Sequence, residues 1–184
     1  MLVDHSREKL INLMIYFVRN TKNCFKTKLF KLLFFADFLH FKETGKSITG
    51  LSYDAWKHGP VPCDLYYELK APKQDLKEAI QITGVPDKDF LKLIPKKKFD
   101  DRYFTKREMQ IIERVAFIFK ESNADLTVEA SHLKNEPWHQ TIASKGQGSR
   151  VEYILALDGS KGAISTEDYQ ELQQELEALQ KTFA

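Results

Sequence analysis

The apolar residues of the first quarter of the chain recur at helical spacing. Between Glu8 and Arg19 they return every three or four positions, which predicts an amphipathic helix. Thr27 can cap a second helix, in which the apolar residues from Leu29 to Phe41 cover nearly the whole circumference. A helix that is apolar all round packs on several sides, so we expect it at the centre of the protein, with Gly45 as its end.

The next segment follows a shorter period. Apolar residues alternate with small or polar ones from Ser47 to Trp56, which predicts a strand or an irregular hairpin. The run His58-Gly59-Pro60-Val61-Pro62 is then expected to stop it as a rigid turn. Helical spacing returns from Cys63 to Lys70, and Pro72 should break it before a short helix that ends at Ile80.

A basic segment with several aromatic residues occupies the middle of the chain. Phe90 to Ile94 and Tyr103-Phe104 predict a two-stranded excursion whose charged tip contains Lys96, Lys97 and Lys98. Pro95 would restrict this pair to the edge of a sheet.

Local signals are clearer in the second half. Thr105 and Glu108 have the spacing of a capping box at the start of a helix. Another helix is predicted from Leu126 to Leu133, and Pro137 suits the first turn of the next one. Gly146 to Ser149 predicts a surface turn. The segment from Val151 to Leu157 fits either a strand or a helix.

The last predicted helix spans about residues 166–182 and is amphipathic. Its apolar stripe has heptad-like spacing, and its other face is acidic. The stripe fits either the core or a second copy of the chain, so a homodimer through this helix stays open. The stripe consists of Tyr169, Leu172, Leu176 and Leu179.

Together these elements predict a mainly α (α+β) fold. We expect residues 1–184 to form a single-domain helical bundle around the central hydrophobic helix, with one or two short β-hairpins. A chain of 184 residues with 42% hydrophobic residues is long and apolar enough to bury one core.

Charge and cysteine content narrow the class of protein. The formal net charge is only +2, so an electrostatic partner must be recognised by a local patch. Cys24 and Cys63 form no C-x-x-C pair, which argues against a disulfide framework or a structural zinc site. The N-terminus lacks the apolar run of an export signal, and the most apolar stretch is too short to cross a bilayer. We therefore expect a cytoplasmic protein without a membrane partner.

Asp37 and His40 are unusual because they are polar residues in a predicted helix that consists mainly of Phe and Leu. A buried carboxylate can serve as a general base or a metal ligand. The favoured alternative is a structural polar network in which every group is hydrogen-bonded.

No set of catalytic residues emerges from the other motifs. A nucleophile built from Cys63 with His58 or His40 lacks an orienting third group, and His132 and His139 do not have zinc-ligand spacing. The chain also lacks the common glycine-rich nucleotide and hydrolase motifs. We predict no enzymatic activity, no cofactor and no metal.

The basic segment 88–107 interleaves lysines with aromatic residues, a combination that binds phosphates and stacks on bases. A nucleic-acid-binding regulator is therefore the alternative function. A solvated hairpin tip is the favoured interpretation of the lysines, since charge runs usually face water.

Three runs of sequence resemble a known family, the Panacea domain, also called the SocA-like antitoxin domain of type II toxin-antitoxin systems, which is associated with phages. The resemblance spans about residues 8–157 and depends on the order of the runs. They are K-L-L-F-F-A-D-F from Lys31, then I-T-G-L-S-Y-D-A-W from Ile48 with H-G-P-V-P from His58, and finally S-H-L-K-N-E-P-W from Ser131.

This resemblance implies an antitoxin of a bacterial, archaeal or phage module that neutralises a cognate toxin protein by direct binding. Family members often carry a helix-turn-helix module that represses their own operon. No such module is recognisable in this sequence, so the resemblance does not extend to autoregulation.

Aromatic residues beside a rigid turn suit a protein interface, because they bury much area at little entropic cost. We therefore predict partner contacts by the proline-stiffened turn and by the lysine tip, with Asp37 and His40 fixing the turn on the central helix. The alternative is that Tyr53 and Trp56 belong to the core. The candidate contacts are Tyr53, Trp56, His58, Pro60, Pro62, Lys96, Lys97 and Lys98.

Overall fold

The computed structural model describes residues 5–84, 91–134 and 136–183, with the side chains of 179–183 left out. The fold is mainly α with a few short antiparallel strands, as predicted. The described helices are α1 (Ser6–Asn20), α2 (Lys26–Thr44), α3 (Cys63–Glu68), α4 (Gln74–Ala79), α5 (Lys106–Ile118), α6 (Ala124–Ser131), α7 (Pro137–Lys145) and α8 (Thr166–Phe183). The strands are β1 (Tyr53–Trp56), β2 (Gly59–Val61), β3 (Ile80–Thr83), β4 (Lys92–Pro95) and β5 (Arg150–Val151).

Helix α2 forms the centre of the molecule and contacts α1, α5, α6 and β2. Side chains on all sides of it are buried, which agrees with its apolar circumference. The prediction that Thr27 caps this helix is wrong. The cap position is Phe25, whose side chain makes no capping bond, and the N–H of Lys26 is satisfied by the carbonyl of Leu91 at 3.2 Å. Gly45 ends the helix in the left-handed region, with φ of 74°.

Strands β1 and β2 form an antiparallel hairpin, and β5 pairs with the other side of β1. The prediction that residues 58–62 only stop the strand is therefore wrong, since Gly59–Val61 returns along β1. Pro60 is tolerated because β2 lies at the sheet edge, where a missing N–H donor breaks no ladder. Residues 47–52, predicted as part of the strand, form a loop that packs on α2.

The second sheet differs from the predicted excursion. Strand β4 pairs with β3, which precedes it, and not with residues 103–104. The segment Asp101–Tyr103 is a 3-10 helix instead, because the Asp100 side chain accepts a hydrogen bond from the Arg102 N–H at 3.1 Å. Lys96, Lys97 and Lys98 follow β4 and are exposed, but they form no hairpin tip. Phe90, the first residue of the predicted excursion, lies outside the described residues.

The second half agrees more closely with its local signals. Both hydrogen bonds of the capping box are present, from Glu108 N–H to Thr105 Oγ1 at 3.2 Å and from Thr105 N–H to Glu108 Oε2 at 2.7 Å. Pro137 lies in the first turn of α7. The segment from Val151 to Leu157, which fitted either a strand or a helix, contains both kinds of structure. Val151 ends strand β5, and the 3-10 helix Tyr153–Ala156 follows it.

The first half of α8 packs on the end of α2. The Tyr169 ring lies 5.1 Å from that of Phe41, and the N–H of Ile164 donates to the carbonyl of Lys42 at 2.9 Å. The apolar stripe therefore begins against the core. The side chain of Leu179, the last predicted member of the stripe, lies outside the described residues.

Gly45 offers a test of this packing. A Cβ at this position would lie 3.0 Å from Ile164 Cδ1 and 3.1 Å from Leu172 Cδ2, and its φ of 74° disfavours L side chains. Gly45→Ala should therefore lower the free energy of unfolding by more than the roughly 1–2 kcal/mol that a left-handed residue alone costs. Urea denaturation followed by circular dichroism measures the change.

Gly148→Ala is the matched control, because Gly148 has a φ of 86° and no atom within 4 Å of its added Cβ. It carries only the backbone cost. Equal losses for the two variants would show that α8 does not pack on Gly45.

Candidate partner-binding site

Asp37 is fully buried in α2 and binds the loop that follows the helix. The N–H groups of Ile48 and Thr49 donate to Oδ1 at 2.9 and 2.8 Å, and the Tyr53 hydroxyl donates to Oδ2 at 2.7 Å. The Thr49 hydroxyl also donates to Oδ2. Four donors thus satisfy a carboxylate that would otherwise be unstable in the core.

This arrangement leaves Asp37 poorly suited to catalysis. Burial raises the pKa of Asp37, and the hydrogen bonds from Thr49, Tyr53 and Ile48 offset part of that effect. Both oxygens are occupied by donors from the protein itself. In the part of the chain that the structure describes, no group of three or more His, Cys, Asp or Glu side chains could hold a metal ion. The geometry therefore fits a structural network.

His40 holds a neighbouring part of the same loop. Its Nδ1 lies 2.6 Å from the carbonyl oxygen of Lys46. Asp37 and His40 thus anchor residues 46–53, which precede the turn that they were predicted to fix.

The turn itself is held by Lys31, whose role the sequence analysis missed. Lys31 is 1% exposed, and its Nζ donates to the carbonyl oxygen of Pro60 at 2.7 Å. Gly59 makes this approach possible, since a Cβ there would lie 2.8 Å from Lys31 Nζ and 3.0 Å from Ser131 Oγ. The sequence signal that could have revealed this role was a lysine within the apolar run from Leu29 to Phe41.

Trp138 holds the hairpin from the other side. Its indole N–H donates to the carbonyl oxygen of Trp56 at 3.0 Å, and the His132 ring stacks on it at 3.8 Å between centroids. Burial, together with the charge of Lys31, lowers the pKa of His132, so the ring is neutral near pH 7. All three runs that carry the family resemblance therefore meet at the hairpin.

A cavity of about 570 Å³ opens between the hairpin, the start of α2 and α6. Its lining combines aromatic and aliphatic side chains with several basic ones. The lining residues are Phe25, Lys26, Thr27, Phe30, Lys31, Trp56, Lys57, His58, Val61, Tyr66, Ala124, Asp125, Val128 and Gln147.

Of the predicted partner contacts, half-buried Trp56 and exposed His58 line this cavity. The others do not. Tyr53 is fully buried with its hydroxyl on Asp37, and Pro60 and Pro62 are buried as well, so these three present little surface to a partner and their prediction as contacts stays a prediction. Lys96, Lys97 and Lys98 are exposed but do not line the cavity.

The aromatic residues of the basic segment are used in packing. Phe99 stacks on Phe104 at 5.7 Å and lies 5.0 Å from the Tyr16 ring. Arg102 is paired with Asp100 at 2.6 Å. Base stacking, on which the nucleic-acid alternative depended, would have to displace these contacts.

Cys63 has a carboxylate partner and not a histidine. Its Sγ donates to Asp54 Oδ2 at 3.1 Å, while His40 is bound to Lys46. Burial and the Asp54 hydrogen bond raise the pKa of the Cys63 thiol to about 12. The thiol is therefore protonated at neutral pH, which argues against the Cys-His nucleophile.

Residues 29–139 match the family model described as "Antitoxin SocA-like, Panacea domain". The chain belongs to this family. The match covers more than half of the chain and contains Lys31, Asp37, Gly59, His132 and Trp138. No curated protein and no solved structure is significantly similar to the chain. Among the described helices of this SocA-like protein, none has both the length and the apolar character needed to cross a membrane.

Replacing Asp37 tests the buried network. Asp37→Ala would leave two backbone N–H groups and two hydroxyls without their acceptor. An unsatisfied buried donor costs about 1–3 kcal/mol, so the free energy of unfolding should fall by at least about 3 kcal/mol. Chemical denaturation measures the loss. Thr49→Val, which removes one hydroxyl, should cost only about 1 kcal/mol. A loss below that for Asp37→Ala would contradict the network.

The protonated state of Cys63 can be measured by thiol labelling. In a Cys24→Ser background, the folded protein should react with iodoacetamide at pH 8 far more slowly than a free thiol does. Asp54→Asn removes the negative charge that raises the pKa of Cys63, so labelling should become faster. The denatured protein, labelled at the same pH, provides the reference rate. Fast labelling of the folded protein would instead indicate a thiolate and reopen the nucleophile hypothesis.

Proposed function

We propose that this chain is the antitoxin of a toxin-antitoxin module and neutralises a cognate protein toxin by direct binding. Membership of the SocA-like antitoxin family supports the general role. The observation that carries the mode of action is the hairpin turn Trp56–His58, which Lys31 and Trp138 support from inside the molecule. The proposed place of action is the cytoplasm, and no catalytic step is included.

A turn that is fixed in this way suits binding. Trp56 packs edge-on against Tyr66 at 4.9 Å and still lines the cavity, while Lys57 and His58 are exposed. Little conformational entropy is lost when a partner docks on a surface that is already ordered. Large aromatic residues at the centre of an interface carry a disproportionate share of the binding energy.

Regulation through nucleic acid has less support. Exposed lysines remain after β4, but the neighbouring aromatic rings are packed on one another and on α1. A homodimer through α8 also has less support, because the first half of its apolar stripe packs on α2.

The proposal is tested by co-expression with the product of the adjacent open reading frame. If that product is toxic when expressed alone, the antitoxin should restore growth, and the two proteins should elute together in size-exclusion chromatography. Trp56→Ala should weaken the complex about thirtyfold, in line with a hot-spot residue worth about 2 kcal/mol, as measured by titration calorimetry.

Phe117→Ala is the control for this variant, because Phe117 is an aromatic residue that is 82% exposed and does not line the cavity. It should bind like the wild type. A complex that Trp56→Ala leaves unchanged would contradict binding at the hairpin, and failure of the wild type to rescue growth and to form a complex would contradict the proposed function itself.

A further inference from the structure

The geometry points to an acidic segment of the toxin as the occupant of the cavity beside the hairpin. The segment would bring an Asp or Glu next to an apolar side chain. This inference rests on the proposed function and adds to it the chemistry of the surface that the antitoxin recognises.

The charge of the cavity is the first argument. Lys26, Lys31 and Lys57 line it together with His58, and the only acidic lining residue among those described is Asp125. The excess is positive although the chain as a whole carries a formal charge of only +2. A local basic patch on a nearly neutral protein selects acidic partners by complementarity.

The start of α2 adds to this field. Residues 25–27 line the cavity, and the first turn of the helix contains no acidic residue that would neutralise the positive end of its dipole. A carboxylate in the cavity would therefore meet favourable potential from the backbone as well as from the lysines.

The Tyr66 ring favours a carboxylate over a nucleobase. The ammonium groups of Lys26 and Lys70 lie over this ring, 5.2 and 4.8 Å from its centroid. Because cation–π contacts already occupy the ring, a base could stack there only by displacing an ammonium group. The ring instead holds two positive charges near the cavity, and these charges make its potential favourable to a carboxylate.

The volume and the apolar lining of the cavity indicate what should accompany the carboxylate in the bound segment. A cavity of about 570 Å³ is large enough for a few side chains and lies within the roughly 300–1,000 Å³ typical of ligand sites. Phe30, Val61 and Val128 contribute apolar surface that a lone carboxylate would leave uncovered. We therefore expect an apolar residue beside the acidic one.

Charge reversal at the rim tests the inference on the whole chain, with the product of the adjacent reading frame as the probe. Lys57→Glu changes an exposed lining residue and should weaken the complex about tenfold, with affinity that falls less steeply with salt than that of the wild type. Lys161→Glu makes the same charge change at an exposed lysine that neither lines the cavity nor belongs to the predicted contacts, and it should stay within about twofold of the wild type. An Asp→Lys or Glu→Lys change in the toxin should restore binding to Lys57→Glu.

The outcomes separate the inference from the function on which it rests. If the wild type binds and rescues but Lys57→Glu and Lys161→Glu behave alike, the acidic-segment inference is overturned and the antitoxin function stands. If the wild type neither binds nor rescues, both fall. Titration with ATP, followed through tryptophan fluorescence, should give no saturable change; saturable binding that Lys57→Glu abolishes would assign the cavity to a nucleotide and overturn the inference.

Discussion

The central helix α2 buries the ammonium group of Lys31 and the carboxylate of Asp37 in a largely apolar environment, and both must be satisfied for the protein to fold. A buried charge without partners costs several kcal/mol, so each of these side chains determines what can pack beside it. Asp37 requires the donors of residues 48–53, and Lys31 requires the carbonyl of Pro60. The path of the chain after α2 is therefore set by the hydrogen-bonding needs of the helix that precedes it.

Segments that are distant in sequence contact the hairpin formed by β1 and β2. Strand β5 pairs with β1, and Trp138 donates to the carbonyl of Trp56, so residues from the last third of the sequence depend on a hairpin formed near residue 56. Gly59 permits the close approach of Lys31 and Ser131. Contacts from three directions fix the turn Trp56–His58, and its rigidity follows from the same bonds that satisfy the buried charges.

Sequence reasoning succeeded where a feature depends on neighbouring residues. The apolar circumference of α2, the capping box at Thr105 and the proline of α7 are local and were predicted. Asp37 was singled out because a carboxylate in such a helix is rare, whereas Lys31 was overlooked because lysines commonly extend to water along apolar surface. The pairing of β3 with β4 was missed, since short strands take their partners from long-range packing. The two-residue period of β1 could have separated its two aromatic residues into a buried one and a partly exposed one. Tyr53 and Ala55 face the core, whereas Trp56 faces outward.

The residues that hold the hairpin and the residues that line the cavity beside it differ in how freely they can be replaced. Lys31, Asp37, Gly59 and Trp138 are all committed to the architecture, so changing any of them would disturb the fold before it altered a preference between partners. Positions whose side chains line the cavity without holding the hairpin are under no such constraint. These include exposed Lys57 and His58 on the turn and Asp125 on α6. A change of partner can therefore be accommodated at these positions while the network beneath them stays constant, because the turn owes its position to backbone carbonyls and not to the side chains that it displays.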